Sequence, residues 1–462
     1  MTPEIHVIPG KLPPFWDRSV LFFCNLHSIF YDNDAEAAEL IQQIAGSRSY
    51  GGRVVSILNL LFHRGPNKIL LEAAPEPNLM DYLSGDLQLS LPAVDVLDRR
   101  GYQDLAAKLK DGAQTDPAQN DPSQKDPSID GLKKHPAAWI DGYVTDANLV
   151  RVAAGLNKKT VSPLSGSKNG NNKYLLYLYQ VERGLPVFDT LTAASPAEVP
   201  SRLARLSEMG YRRAVVKAQI GASGYGMIKL ETGRFRPESV PEYLFFEGPC
   251  MVQGWLDEQT PGVERIGSPS VQMFLNDGGV YLFDWTEQIL SDESVHEGNM
   301  SPPPYSAAHP ELEEEVFRQA ASAGEWLHAR GYRGTASADF LVVRKNGAMQ
   351  TIICEINARV TGATYPAVLA RHFMPGAYWN MRNIQFRKAL DGAQLLSLMD
   401  RAGELYHPGR EKGILPFNFN TGEDGKVTKG QFLCLGKNHR VCDGLLTQAW
   451  TELPVEWGYD RD

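Results

Sequence analysis

Gln350-Thr351-Ile352-Ile353-Cys354-Glu355-Ile356-Asn357-Ala358-Arg359 is the stretch that decides how this chain is read. Its first half is an apolar run suited to a buried strand. Residues two apart in a strand point the same way, so Glu355, Asn357 and Arg359 share one face while Ile356 and Ala358 pack behind. Stability does not explain a buried strand that ends in a carboxylate, an amide and a guanidinium, because buried charge without a partner is costly. Asp339-Phe340 reads as part of a second strand of the same kind. Two acids and an amide oxygen suit Mg²⁺, a hard cation that takes oxygen ligands and shares them with nucleotide phosphates. The arginine suits a phosphate or a developing oxyanion, with simple neutralisation of Glu355 as the blander alternative. The expectation is a nucleotide–metal site with Asp339, Glu355 and Asn357 as ligands.

Upstream, Ala214-Val215-Val216-Lys217 is a short apolar strand ending in a lysine, and Ala218 to Met227 is a glycine-rich loop. Gly221, Gly224 and Gly226, with Ser223 among them, allow close backbone approach and positive φ, so the loop can fold its N–H groups over phosphate oxygens. Strand signals flank it on both sides, which predicts a hairpin flap. The Walker loop and the dinucleotide fingerprint both run strand–loop–helix, so neither applies. Lys173 opens a helical segment after the polar loop 165–172, where Lys168 is an alternative phosphate contact.

These motifs, in this order, resemble the ATP-grasp superfamily over roughly residues 160–380. Lys173 resembles its first nucleotide lysine and Gly184-Leu185-Pro186-Val187 the turn that leaves the following helix. Lys217 and the loop Gly221–Gly226 resemble the second lysine and the phosphate-covering flap. Met251-Val252-Gln253-Gly254-Trp255-Leu256-Asp257 resembles the hinge whose backbone reads adenine, with Asp257 a candidate for ribose. Asp339, Glu355 and Asn357 match the metal ligands, and Arg359 matches an arginine of the carboxylase-like members. One departure is Ser337, where the D-alanine–D-alanine ligases carry an arginine. The resemblance implies ATP as co-substrate, two Mg²⁺ ions with Mn²⁺ as the alternative metal, and Lys217 and Arg359 in catalytic roles. The reaction it implies is phosphorylation of a carboxylate followed by attack of an amine on the acyl phosphate.

The implied fold class is α/β plus α+β. Residues 1–159 would form a pre-ATP-grasp α/β domain, 160–380 the ATP-grasp region and 381–462 a small C-terminal α+β domain closing one side of the site. In the first of these, Ser19–Cys24, Arg53–Leu58 and Lys68–Leu71 read as strands, and 34–44 and 94–110 as helices. The Asp-Pro-rich stretch 114–136 reads as a surface excursion, because X-Pro pairs disfavour helix. Residues 284–305 are polar and proline-rich and read as a lid or substrate-facing loop.

At 462 residues, with 43% hydrophobic and 22% charged residues, the chain is long enough for several cores and ordinary for a globular protein. A net charge of −9 argues against a general nucleic-acid binder. Five cysteines without a CxxC pair fit reduced thiols, Cys434 and Cys442 pairing being a minor alternative. The N-terminus lacks a signal-peptide pattern and no run is long enough to span a bilayer, so a cytoplasmic protein is expected. Over nearly its full length the chain is similar to the pheganomycin-type peptide ligases. That likeness implies natural-product chemistry, an amino-acid-like acid and an amine of an amino acid or peptide; the ATP-grasp resemblance adds a homodimer as an expectation. An ATP-grasp kinase and a nucleotide-binding regulator remain the alternatives; a carboxylase role fits poorly because no carrier-lysine motif is present.

Overall fold

The computed structural model describes residues 2–38, 50–112, 127–222, 224–233, 240–257, 260–290 and 296–452. The chain forms two compact units, each assembled from separated segments. The first takes Met1–Pro9, Ile29–Gln42 and Ser165–Thr361; the second takes Gly10–Ser28, Gln43–Leu164 and Gly362–Asp462.

The chain opens on β1 (Glu4–Val7), which belongs to the first unit. The second unit then begins with β2 (Val20–Phe23), β3 (Lys68–Leu71), β4 (Ala93–Val96), β5 (Trp139–Gly142) and β6 (Lys159–Thr160), a parallel sheet in the order β4-β3-β2-β5-β6. Among its helices are α1 (Val55–Leu61), α2 (Arg99–Gly112), α3 (Pro127–Lys134) and α4 (Ala147–Gly155). Leu105, Ala106 and Leu109 of α2 join Leu149 and Val152 of α4 over Leu21, Phe23 and Ile140 of the sheet. Both faces of a parallel sheet are normally covered, which is why β2 is apolar at every position.

Three local expectations are corrected here. The run at Arg53–Leu58 is a 3₁₀ turn leading into α1, whose Val55, Ser56, Ile57 and Leu58 are all buried. An apolar run buried on every side carries no period, so it does not separate strand from helix. Residues 94–110 divide into the exposed edge strand β4 and the helix α2. Within the Asp-Pro stretch, the segment from Pro127 onward is helical, with proline tolerated at the first helical position; 114–126 lie outside the described residues, as does the expected helix 34–44 beyond residue 38.

The first unit contains α5 (Leu164–Gly170), α6 (Lys173–Glu182), α7 (Val199–Glu208) and α8 (Pro310–Ala329). Its smaller sheet is β7 (Thr190–Ala193), β8 (Arg213–Lys217), β9 (Met227–Glu231) and β10 (Cys250–Gly254), in the order β7-β10-β8-β9. Val199, Leu203 and Leu206 of α7 pack on Val216, Cys250 and Val252 of that sheet. β8 and β9 are antiparallel, with Lys217 opposite Met227, so the glycine loop between them is the hairpin the sequence predicts.

The larger sheet of this unit contains β11 (Val263–Gly267), β12 (Pro269–Leu275), β13 (Gly279–Leu290), β14 (His296–Ser301), β15 (Gly334–Lys345) and β16 (Ala348–Asn357). β15 pairs with β16 along one edge and with β12 and β11 along the other; β13 and β14 follow β12, and β1 lies parallel to the start of β13. Pairing fixes which residues share a face. Asp339 lies opposite Glu355, Ser337 opposite Asn357, Ser270 opposite Asp339 and Thr286, and Gln272 opposite Asp284. Those polar residues form one face. The alternate residues, among them Val271, Met273, Trp285, Ala338 and Ile356, form the other and pack against Val316, Ala320, Ala323 and Leu327 of α8. Each such aliphatic side chain contributes about 1.5–3 kcal/mol on burial. Gly324 lets α8 approach closely, since a Cβ there would stand 2.6 Å from Val280 Cγ1.

With 291–295 outside the described residues, residues 284–290 and 296–301 are strand and not the expected lid or substrate-facing loop. They supply most of β13 and all of β14, with Asp284, Thr286, Asn299 and Ser301 buried. Asp284 and Thr286 belong to the polar face of the sheet, and Ser301 Oγ donates to Asp284 Oδ1 at 2.7 Å.

The second unit resumes with α9 (Thr364–Phe373), β17 (Tyr378–Leu390), β18 (Gly413–Thr421), β19 (Val427–Gly436) and α10 (His439–Glu452). The three strands are antiparallel, β19 pairing with both others. This end of the chain packs with its beginning: Tyr82 Oη donates to the Tyr406 carbonyl at 2.6 Å, and Tyr365 Oη to Tyr143 Oη at 3.2 Å. All five cysteines are free thiols. Among the described residues no helix is long and apolar enough to cross a membrane.

Candidate active site

Asn172 caps α6, its Oδ1 accepting from Leu175 N–H at 2.9 Å, so the helix begins at Lys173. The cap also ties α6 to the start of the glycine loop: Asn172 Nδ2 donates to Gln219 Oε1 at 2.9 Å, and Lys173 N–H to the Gln219 carbonyl at 2.8 Å. The Lys173 ammonium is thereby delivered to the end of β16, 3.0 Å from Glu355 Oε2, and donates to the Gly221 carbonyl at 2.7 Å. One lysine thus joins the acid cluster to the flap.

On the adjoining strand, Asp339 Oδ1 accepts from Ser270 Oγ at 2.7 Å and Ser337 Oγ at 3.2 Å, and Asp339 Oδ2 accepts from Asn357 Nδ2 at 2.8 Å. Burial and the charge of Glu355 opposite hold the Asp339 carboxyl above its usual range. Glu355 goes the other way. Burial alone would raise it, but Lys173 and Arg359, with Lys217 behind them, hold it below the ordinary carboxylate value. Burial lowers the Lys217 ammonium, and the nearby Lys173 charge adds to that.

The donor set fits Mg²⁺. Asp339 and Glu355 face each other across the β15–β16 pair, and Asn357 turns its N–H₂ toward Asp339, which leaves its carbonyl oxygen as an acceptor. A hard cation held by these two carboxylates would offset both the burial and the like charge that raise Asp339. Among the described residues no group of three or more acid, histidine or cysteine side chains gathers, so ligands beyond these would come from phosphate and water.

In the flap, Gly224 and Gly226 have φ of +85° and +73°. A Cβ at Gly226 would lie 2.3 Å from Glu36 Oε1, so a buried carboxylate sits directly against the loop. Ser223 lies outside the described residues. Ser337, which departs from the D-alanine–D-alanine ligase pattern, serves here as a donor to Asp339.

The hinge residues follow β10, whose Met251 pairs with Lys217. Gln253 is buried with its Nε2 on Thr190 Oγ1 at 3.0 Å. The Trp255 N–H donates to the Arg213 carbonyl at 3.0 Å, and its carbonyl accepts from Thr260 Oγ1 at 2.9 Å, so its backbone is engaged within the protein. Leu256 is a core residue, and Asp257 is ion-paired with Arg213. The structure thus joins Lys173 to Gly221 and Glu355, and Asn357 to Asp339, with Asp339 opposite Glu355 across the strand pair. Lys217 and Arg359 stand close enough to act on their charges, and the hinge runs along β10 beside β8.

Sequence reasoning misses Asn171. It is buried, and its Oδ1 accepts from Arg359 Nη1 at 2.8 Å. It also misses Glu36. Both lie in polar stretches whose periodicity carries no hint of the long-range contact.

No family profile matches the chain. Among curated proteins it is similar to the [butirosin acyl-carrier protein]–L-glutamate ligase of Niallia circulans, 30% identical over 166 residues. That match takes in 35% of this chain and 36% of the relative, so the chain spans about a third of the curated relative's length. Among solved structures it is similar to N5-carboxyaminoimidazole synthase from Aspergillus clavatus in complex with ADP and 5-aminoimidazole ribonucleotide (TM-score 0.55, 12% identity, 95% of this chain and 99% of that one). It is also similar to the biotin carboxylase–ATP-analogue complex from Campylobacter jejuni (TM-score 0.57, 13% identity, 95% and 92%). At such identities the likeness is one of fold, and it runs nearly end to end. The fold of this chain is therefore the ATP-grasp fold.

Proposed function

We propose that the chain is an ATP-dependent carboxylate–amine ligase. The observation that carries this reading is the Lys173 ammonium, which touches Glu355 at 3.0 Å and the flap carbonyl of Gly221 at 2.7 Å. A cation so placed bridges the acid cluster and the phosphate loop and suits the γ-phosphate of ATP. In this reading Lys173 and Lys217 hold the phosphates, and Gly221, Gly224 and Gly226 bring backbone N–H groups over them. The hinge Gln253 to Asp257 receives the base and ribose. Two Mg²⁺ ions held by Asp339, Glu355 and Asn357 would neutralise phosphate charge.

The substrate carboxylate oxygen attacks the γ-phosphorus and the bond to the bridging oxygen of ADP breaks, giving an acyl phosphate. Arg359 stabilises the oxyanion that forms as an amine nitrogen attacks the acyl carbon; phosphate leaves and the amine sheds a proton. Positioning contributes most of the acceleration, since reactants held at contact distance react as if at very high concentration. The proposed substrates are an amino-acid-like acid and the amine of an amino acid or peptide, in the cytoplasm. The curated relative's name pairs L-glutamate with an acyl-carrier protein, which makes such a protein an additional acceptor to offer.

The test is ADP release with ATP and Mg²⁺ against amino acids offered singly and in pairs, with short peptides and an acyl-carrier protein as further acceptors, alongside product mass. ADP release that needs both acid and acceptor, with the mass of their condensation, is expected. ADP formed with one hydroxylated compound and no acceptor would replace the ligase by a kinase.

A further inference from the structure

Arg359 lies beyond the last residue of β16, in a segment without ladder partners, so strand pairing does not fix its side chain. Asn171 does. Its Oδ1 accepts from Arg359 Nη1 at 2.8 Å and from Ala358 N–H at 3.1 Å. Its Nδ2 donates to the Ser167 carbonyl at 2.9 Å, Tyr31 Oη at 3.2 Å and the Ala358 carbonyl at 3.3 Å. The amide is 5% exposed and both its ends are bonded, so it cannot flip without losing several partners. Its neighbour Gly170 presses the end of α5 onto the same segment: a Cβ there would lie 2.7 Å from Ala358 Cβ and 2.5 Å from Leu327 Cδ1. Tyr31 closes the arrangement from another part of the chain, its Oη lying 2.9 Å from Ser167 Oγ with the residue at φ +53°.

We propose that Asn171 is a positioning residue that holds the Arg359 guanidinium in its working orientation beside Asp339 and Glu355, with Tyr31 fixing the amide. Arginine has a long, rotamer-rich side chain, and ordering it in advance removes an entropy loss from the transition state. Misplacement by about 1 Å costs on the order of 10²-fold in rate. This inference rests on the ligase reading for the role of Arg359, while the geometry of Asn171 stands without it.

The experiment is a double-mutant cycle on the full chain between Asn171→Ala and Arg359→Ala, read as ADP release and as KM for ATP. Asn171→Ala is expected to lower kcat by about 10–100-fold and leave the KM for ATP within about twofold. The same substitution made on Arg359→Ala is expected to change nothing further, because the effect passes through the arginine. Asn171→Asp keeps an acceptor for Nη1 and is expected to recover part of the loss. Tyr31→Phe, which removes one hydroxyl, is expected to give a smaller fall in kcat alone. Additive losses in the cycle, or a loss that simply tracks the folded fraction in a thermal melt, would overturn the proposal. Wild-type protein that releases ADP without forming a condensed product would sink the ligase reading, yet the cycle would still be read on that ADP release, so the two fail separately.

Discussion

Glu355 and Glu287 belong to one sheet and meet opposite fates. Glu355 lies on the polar face, where Lys173, Arg359 and Lys217 overcome burial and hold its carboxyl below the usual range. Glu287 follows Thr286 on β13 and so turns to the face of Val271 and Trp285. There burial pushes it up to about 7; its neutral donors are the Ser268 N–H at 2.6 Å and Tyr305 Oη at 2.7 Å, and the opposing pull of Arg265 is weaker. The same residue type is an anion on one face and largely a neutral acid on the other at mildly acidic pH. The face, set by two-residue periodicity and register, decides the chemistry a side chain can do.

The comparison breaks at once if Glu355 is dispensable. Glu355→Gln keeps shape and removes charge, so ADP release is expected to fall by about 10³-fold or more, several kcal/mol of transition-state stabilisation. Circular dichroism should report an unchanged fold. Turnover within tenfold of wild type would remove the carboxylate from the catalytic scheme.

On the opposite face the expected loss is of stability. Met273 is fully buried in the cluster under α8. Met273→Ala is expected to destabilise by about 2–5 kcal/mol in denaturant titration while the folded fraction keeps its turnover. A selective loss of turnover at unchanged stability would mean that the two faces are not functionally separate.

Lys217 combines both kinds of effect. Burial lowers its ammonium from the ordinary 10.5. The folded chain then binds fewer protons than the unfolded one between that lowered value and 10.5, so stability rises with pH through the window. Lys217→Met is expected to flatten that rise and to raise the melting temperature at neutral pH. It is also expected to weaken ATP binding by about 10–100-fold, the loss of a charged hydrogen bond. Calorimetric titration with a non-hydrolysable ATP analogue, beside melts at several pH values, separates the two. Unchanged affinity would remove Lys217 from the phosphate site and leave that role to Lys173.

Much of the polar face is legible in the sequence because its signal is local. Glu355, Asn357 and the apolar residues between them alternate within one strand, and the hairpin flap is bracketed by strand signals within a few residues. The parts that are not legible depend on contacts across long separations. β1 pairs with β13 through Glu4 and Gly279, and Tyr31 meets Asn171, with nothing in either segment to announce it. Polarity misleads at 284–290 and 296–301, because a strand on a buried polar face carries the composition of a loop. Apolarity misleads at Val55–Leu61, because a helix buried on all sides carries the composition of a strand.

Glu287 offers the smallest effect and the sharpest contrast. Its folded value near 7 stands above the ordinary 4.5, so the folded chain holds more protons than the unfolded one between those values. Stability contributed by the protonated form is complete below about 4.5 and is lost as pH rises toward 7. One group gives a slope below about 1.4 kcal/mol per pH unit, and partial contact with water reduces it further. Glu287→Gln, a permanent neutral mimic, is expected to remove that decline and leave ADP release unchanged. Stability measured by denaturant at pH 5 and pH 7 should then differ less in the variant than in wild type. An equal difference in both would show that Glu287 is already ionised in the folded chain, and that the apolar face does not set its charge.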